Sequence, residues 1–499
     1  MVQNWKLALV VILAVYFGLA LANARTLMPW CDEAWFAGPA VNLVTRGYMG
    51  TPVLDPTAAW GEVGFRDIRQ VDRYTYWIMP LFPFTLSVWF RILPVGLFTD
   101  RLYSVMWGAV ALLAWFVLLR KLADDARVAL CGIALMAIDF TFLWGAGVGR
   151  MDMMCAALGS SALAVYVSLR EGHFRGAVVA SNACVAAAAL AHPLALGWCA
   201  ALIALTLFYD RRRIRIPHVL LAGVPYLLAG LAWASYILQN PPLWWEQFSS
   251  DAHHRTLTGS LWTNLHAQII QRYVWMFGMA PDTHGLSHLK IIALVIYVIG
   301  LVAAVATPLI RRHQGYRGLF VIGLAIWIIM SLVDKDIHPF YLVHFMLPII
   351  AILGVWLALA WHKGLAPHWL VSTLAAVLVL VQAAVFISRF RADPYNTLYR
   401  SSATYLKQHM RPEDRVFASA ELAFELGWGD RVIDDFRLGY KTGKQARFVV
   451  LDQNRYQEWI PNLQMYDPAA YRQIRDMLDH QYRMVYKNAG YEIYERGAS

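Results

Sequence analysis

The sequence predicts an α-helical polytopic membrane protein of about eleven transmembrane helices, carrying a C-terminal α/β domain outside the membrane. Three observations predict the membrane fold and its appended domain. Of 499 residues, 59% are hydrophobic and 15% charged, with a mean hydropathy of +0.45, which lies outside the range of soluble globular chains. The apolar residues gather into runs long enough to cross a bilayer, separated by short charged spacers. After residue 388 this pattern stops, and short apolar stretches alternate with helical periodicity. A soluble enzyme is thereby excluded. The excess of 43 Lys and Arg over 33 acidic residues sits mostly in short loops, so it is an orientation signal rather than a nucleic-acid footprint.

Apolar runs lie near 7–23, 76–93, 101–119, 128–143, 152–169, 176–191, 193–208, 218–238, 289–309, 319–333, 340–361 and 367–388. The loops 120–127, 170–175, 209–217 and 310–317 carry Arg120, Lys121, Arg127, Arg170, Arg175, Arg211, Arg212, Arg213, Arg215, Arg311, Arg312 and Arg317, which places them in the cytoplasm. With Lys6 also inside, residues 101–119 must run inward, so the segment 76–93 cannot cross. Its prolines and aromatics suit a helix lying in the outer interface. The expectation is eleven spans, with the N-terminus inside and the C-terminus outside. Residues 7–24 also read as a signal peptide ending at Ala22-Asn23-Ala24; in either case residue 30 emerges outside.

Three extramembrane pieces remain: the first outer loop 24–100, the outer loop 239–288, and the tail 389–499. Together with the spans, residues 1–388 form one membrane domain. In the tail, 415–418 and 447–451 suit buried strands, 395–410 and 468–480 suit helices, and 482–495 suits a strand or hairpin. Five cysteines, with no CxxC and none in the tail, imply no zinc site or disulfide framework.

The candidate chemistry collects at the outer face. Asp32 and Glu33 follow the first span by about nine residues, and the same pair would serve equally as cap and first-turn acid of a helix starting there. Asp152 and Arg150 open an inward-running span at that surface. Asp139 lies near the outer end of its own span, where a carboxylate is costly to bury and could equally be the partner of Arg150 or of a hydroxyl. His192-Pro193 forms an outer turn, and Lys335, His338 and Tyr341 belong to another. Arg66, Arg69 and Arg73 place three cations in eight residues of the first loop, suited to a phosphate beside an apolar groove or to anchoring at the interface. No phosphate-binding glycine loop, GxSxG or HExxH is present.

These pieces resemble the GT-C superfamily of integral-membrane glycosyltransferases, in the branch of protein O-mannosyltransferases and the lipid A aminoarabinose transferase. The likeness rests on Asp32-Glu33-Ala34-Trp35 with Asn42-Leu43 and Gly47, Arg101-Leu102-Tyr103-Ser104-Val105, Arg150-Met151-Asp152, His192-Pro193, Phe340-Tyr341-Leu342 before Pro348, and in the tail Phe424, Asp434-Asp435, Gly439 and Asp452. It implies transfer of a sugar from a polyprenyl-phosphate-linked donor to a lipid, glycan or protein acceptor at the outer face, with Asp32 as the catalytic carboxylate and Asp152 as a second. Members of the branch differ in metal use; a divalent metal, where used, would fall to Asp32 and Glu33. The sequence departs from the aminoarabinose-transferase pattern at Asp72-Arg73-Tyr74-Thr75-Tyr76-Trp77, which stands in place of a Lys-Pro-Pro-like approach. The resemblance also suggests a bacterial inner membrane with a periplasmic tail. A transporter or flippase of a lipid-linked or anionic substrate is the rival reading, but transporters carry inverted repeats and midplane charges, and here the ionisable residues collect at one face. A scaffold docking partners through the tail would leave Asp139 and Asp152 unexplained.

Overall fold

A computed structural model describes residues 4–54, 69–254, 260–279, 286, 288–334 and 337–497. The chain begins with α1 (Trp5–Thr26), α2 (Cys31–Arg46), α3 (Leu81–Ile92), α4 (Leu97–Ala123), α5 (Ala126–Ile138), α6 (Phe140–Gly147), α7 (Met151–Leu169), α8 (Phe174–Ala191), α9 (Ala195–Asp210) and α10 (Ile216–Ile237). It continues through α11 (Pro241–His254), α12 (Leu261–Ile269), a π-helical segment Ile270–Gly278, α13 (Leu289–Ala306), α14 (Pro308–Arg312), α15 (Gln314–Val333), α16 (Leu342–Lys363) and α17 (His368–Ala392).

Among the described residues, nine helices are long and apolar enough to cross a membrane, and the pair α5–α6, bent by 61°, makes a tenth crossing if it counts as one. Two of the eleven expected spans are thus not single long helices. The run 128–143 breaks at Asp139, whose extended backbone ends α5 and whose side chain caps α6 by accepting from the Phe142 amide at 3.0 Å. The run 193–208 forms α9, which at 16 residues spans about 24 Å, short of the ~30 Å hydrocarbon core. Its start is set by Pro193, which follows the end of α8. The segment 76–93 is helical only over the 12 residues of α3, about 18 Å, because the chain before Pro80 is extended. This helix packs against α2, burying Phe82, Leu86 and Phe90 and exposing Phe84, Val88 and Ile92.

The tail adds a π-helical segment Tyr395–Arg400, α18 (Ser401–His409), β1 (Val416–Phe417), α19 (Ala423–Leu426), β2 (Val432–Ile433), β3 (Phe448–Asp452), α20 (Tyr456–Tyr466), α21 (Pro468–Gln481), β4 (Tyr482–Lys487) and β5 (Tyr491–Arg496). Its five strands are ordered β2-β1-β3-β5-β4, with β1 parallel to both β2 and β3, and β5 antiparallel to β3 and β4. The expected strands and helices occur; β2, α19 and α20 are elements the sequence did not disclose. β2 is two residues long, too short for a periodicity to register.

The edge of this sheet is covered by the segment that follows α2. Leu54 bridges in parallel to Asp434, and the Asp434 amide donates to the Val53 carbonyl at 2.8 Å. A loop that fills an open sheet edge removes a pairing hazard, and here it also fastens the tail to the loop that follows α2.

Candidate functional site

Three consecutive residues at the start of α2 face three different elements. Cys31 is buried toward the tail, Asp32 faces Arg150, and Glu33 faces α4. Glu33 is fully buried. Its Oε1 accepts from Arg101 Nε at 2.7 Å and the Gly149 amide at 2.9 Å, and its Oε2 from Arg101 Nη2 at 2.8 Å and the Trp30 amide at 3.0 Å. Arg101 Nη1 donates to the carbonyls of Ala24 and Leu27 at 2.8 and 2.9 Å. One ion pair therefore joins the end of α1, the start of α2, α4, and the turn before α7. Glu33 is a positioning residue with both oxygens committed. An Asp32–Glu33 divalent-metal site does not fit this arrangement, because Glu33 presents no open lone pair to solvent and Asp32 is turned to Arg150. Among the described residues, no group of three or more His, Cys, Asp or Glu is placed to hold a metal ion.

The turn 148–150 exists because position 149 is glycine: a Cβ there would stand 1.8 Å from Asp100 Oδ2. It delivers Arg150 between two carboxylates. Arg150 Nε donates to Asp152 Oδ2 at 2.8 Å, while its Nη1 pairs with Asp32 Oδ2. The guanidinium is 4% exposed and lies over the rings of Phe340 (4.2 Å) and Phe36 (5.0 Å), with Phe340 stacked on Trp144. Asp32 retains 19% side-chain exposure. Its second oxygen, Oδ1, has only a weak 3.8 Å contact from the Cys31 thiol, so a substrate hydroxyl can reach it.

Asp152 is buried, and its Oδ1 faces two imidazoles, His192 Nε2 at 3.7 Å and His344 Nε2 at 4.0 Å. Each ring accepts at Nδ1, from the Leu194 amide (3.0 Å) and from Trp198 Nε1 (3.1 Å) respectively. That leaves Nε2 as the proton-bearing nitrogen of each, directed at the carboxylate. Trp198 lies flat on α7 because residue 159 is glycine, where a Cβ would meet the indole at 2.2 Å. Tyr341 packs edge-on to His192 at 5.3 Å, and His338 stands 6.3 Å from Tyr341. Behind Tyr341, the buried Arg272 of the π-helical segment pairs with the buried Asp334 and lies over the Tyr341 and Phe345 rings.

The fold thus brings together Asp32, Arg150, Asp152, His192, Tyr341 and His338. Arg66 and Lys335 lie outside the described residues. Asp139 is elsewhere: it accepts from Tyr297, Thr141 and Gln382, with the Gln382 bond at 2.9 Å. Of the two structural readings of Asp139, partner of Arg150 or of a hydroxyl, the hydroxyl holds, and its role is to cap the break between α5 and α6. Arg69 and Arg73 belong to a strap, residues 69–76, tied to α11. Gln247 accepts from the Tyr76 amide (2.8 Å) and donates to the carbonyls of Arg69 (2.8 Å) and Tyr74 (3.1 Å), and Arg69 pairs with Glu246.

Sequence reading missed His344 and Arg272. His344 lies inside an apolar run, where any ionisable residue is a functional candidate by cost alone. Arg272 stands in a loop-like stretch with no periodicity to mark it.

The tail reaches the site through Trp35, one turn beyond Asp32 on α2. Trp35 Nε1 donates to Asp434 Oδ2 at 2.9 Å. The other oxygen of Asp434 accepts from Arg455 at 2.5 Å and Tyr456 at 2.9 Å. Arg455 in turn lies over the Trp35 ring at 4.7 Å. Close by, burial pushes Glu421 up to about 8 and Asp452 up to about 6, with their mutual repulsion adding to Glu421.

No protein-family profile matches the sequence, and no curated protein matches it. Solved structures do. ArnT from Cupriavidus metallidurans bound to undecaprenyl phosphate superposes with a TM-score of 0.62 at 16% identity, covering 100% of this chain and 99% of that one. The Archaeoglobus fulgidus oligosaccharyltransferase in the apo form gives 0.56 at 12% identity over 90% of this chain and 70% of that one. The same archaeal enzyme, AglB, in complex with an inhibitory peptide and a dolichol-phosphate gives 0.55 at 12% identity over 99% and 74%. From end to end, this polytopic membrane chain shares the fold of these solved structures.

Proposed function

We propose that the chain is a glycosyltransferase that moves a sugar from a polyprenyl-phosphate-linked donor to an acceptor hydroxyl or amine at the outer membrane face. Residues 1–388 are its catalytic membrane domain and 389–499 an extracytoplasmic domain. The N-terminus is cytoplasmic, in a bacterial inner membrane. The neighbours whose structures hold undecaprenyl phosphate and dolichol-phosphate support the donor class. The observation that carries the reading is the Asp32–Arg150–Asp152 triad, in which Asp152 faces the buried imidazoles of His192 and His344 and Tyr341 packs on His192.

In this reading the acceptor O–H donates to Asp32 Oδ1. As the acceptor oxygen attacks the anomeric carbon, its proton passes to Asp32 and the bond from that carbon to the phosphate oxygen breaks. A single displacement inverts the anomeric centre. Polyprenyl phosphate departs with the electron pair, and Arg150, beside Asp32 and Asp152, and Arg272, beside Tyr341, are the cations this reading assigns to the growing charge. Asp152, held by Arg150 and faced by two imidazole N–H groups, orients the sugar. Hexosyl or pentosyl transfer to lipid, glycan or protein all fit this chemistry.

The test is release of free polyprenyl phosphate from a panel of polyprenyl-phosphate sugars mixed with membrane extract, comparing wild type with Asp32→Asn. Release by wild type alone supports the reading. Equal release by both removes Asp32 from the chemistry. No release, with transfer of labelled lipid-linked substrate across reconstituted vesicles, would favour a transporter.

A further inference from the structure

A second site lies at the opposite end of the helices, far from Asp32. A cavity of about 390 Å³ opens between α7, α8, α9 and α10, lined by Val178, Leu202, Ile203, Val219, Ala222 and Tyr226 among others. This volume falls within the usual ~300–1,000 Å³ range of small-molecule sites. It runs from Ile214 in the 211–215 loop past His218 to Tyr226, the stretch from His218 to Tyr226 being about 12 Å of helix rise. Its polar groups are already engaged with one another: Tyr226 donates to Asn182 at 2.9 Å and Asn182 to the Val178 carbonyl at 2.8 Å. What remains for an occupant is apolar. The helix α10 is held to the bundle mainly by α8, and only 6% of its apolar stretch is buried. At Gly223 no atom lies within 4 Å of where a Cβ would stand.

The mouth of this groove is cationic and uncompensated. Asp210 is taken by Arg170 (2.7 Å) and Arg213 (3.1 Å), and Glu171 by Arg170. Arg213 lies over the ring of Phe174, a groove wall, at 4.4 Å, which presses the loop against the opening. Arg211, Arg212 and Arg215 are exposed and make no ion pair among the described residues. Membrane topology alone accounts for a basic loop, but not for an apolar groove opening beneath it.

We propose that this groove seats one acyl chain of an anionic diacyl phospholipid from the leaflet the loop faces, with Arg211, Arg212 and Arg215 holding its headgroup. The site is independent of the catalytic reading. A cation near an anionic lipid surface is worth about fivefold in affinity, so three give on the order of a hundredfold preference over a zwitterionic lipid.

The test uses the full chain purified in detergent, with native mass spectrometry after addition of phosphatidylglycerol or phosphatidylcholine. Wild type is expected to retain one phosphatidylglycerol, weakened by salt, and no phosphatidylcholine. The triple variant R211Q/R212Q/R215Q is expected to lose that adduct at least tenfold at unchanged melting temperature. Gly223→Trp, which fills the groove and leaves the cations, is expected to lose it as well. Retention of phosphatidylglycerol by Gly223→Trp, or equal retention of phosphatidylcholine by wild type, would overturn the proposal even if the triple variant failed to purify.

Discussion

Asp32 and Glu33 are adjacent in sequence and opposite in role, and the difference lies in what their oxygens touch. Asp32 keeps one oxygen open at the surface, whereas all of Glu33 is spent on Arg101, Gly149 and Trp30. Asp32→Asn, an isostere that cannot take a proton, should lower transfer by roughly 10²–10⁴-fold with expression and melting temperature unchanged, measured as polyprenyl phosphate released. Glu33→Gln strands a buried guanidinium. It should destabilise the protein by about 3–5 kcal/mol and show as a lowered melting temperature in detergent before any kinetic effect is measured. Both acids were visible in the sequence as a pair about nine residues past a membrane span, but their division of labour was not. Capping spacing is the same whether the third residue caps only, or caps and anchors a distant arginine.

Among the elements, α2 is gripped from both sides, by α4 through Glu33 and by the tail through Trp35. Trp35→Phe keeps the ring over Arg455 and removes only the N–H that Asp434 accepts. Small displacements of a reacting group are expensive, so turnover should fall by roughly 10-fold while donor KM holds. A KM change with constant kcat would place Trp35 in binding instead. The tail also carries a pH dependence. Glu421, at about 8 in the folded chain against an ordinary 4.5, is protonated in the folded state through the neutral range while its unfolded counterpart is ionised. The unfolded chain therefore binds fewer protons, and stability declines as pH rises from about 4.5 through 8. The melting temperature should drop between pH 6 and 9 in wild type and stay flatter in Glu421→Gln, with Ser419, Tyr491, Asp434 and Asp452 the groups facing that carboxyl. The strands β1 and β3 and the helix α21 were legible from their periodicity. The cluster that joins the tail to α2 was not, because Trp35 and Asp434 lie 399 residues apart.

At the scale of the whole molecule, the proposed orientation places the 211–215 loop and the tail on opposite sides of the membrane. Cysteines introduced at Arg212 and Gln473 should therefore react with an impermeant thiol reagent from opposite faces of sealed vesicles, and labelling from one face would overturn the topology. Apolar length acts locally along the chain, which is why the sequence by itself determined the membrane class and most of the spans. Runs that break, such as that at Asp139, escaped it because a cap formed with Tyr297 and Gln382 needs partners from other helices. Only the tertiary structure decided which carboxylates share Arg150, that His344 and Arg272 lie beside Asp152 and Tyr341, and that the tail clamps α2. Those assignments rest on side chains from distant elements meeting in a buried space, where hydrogen-bond geometry rather than residue type selects the partner.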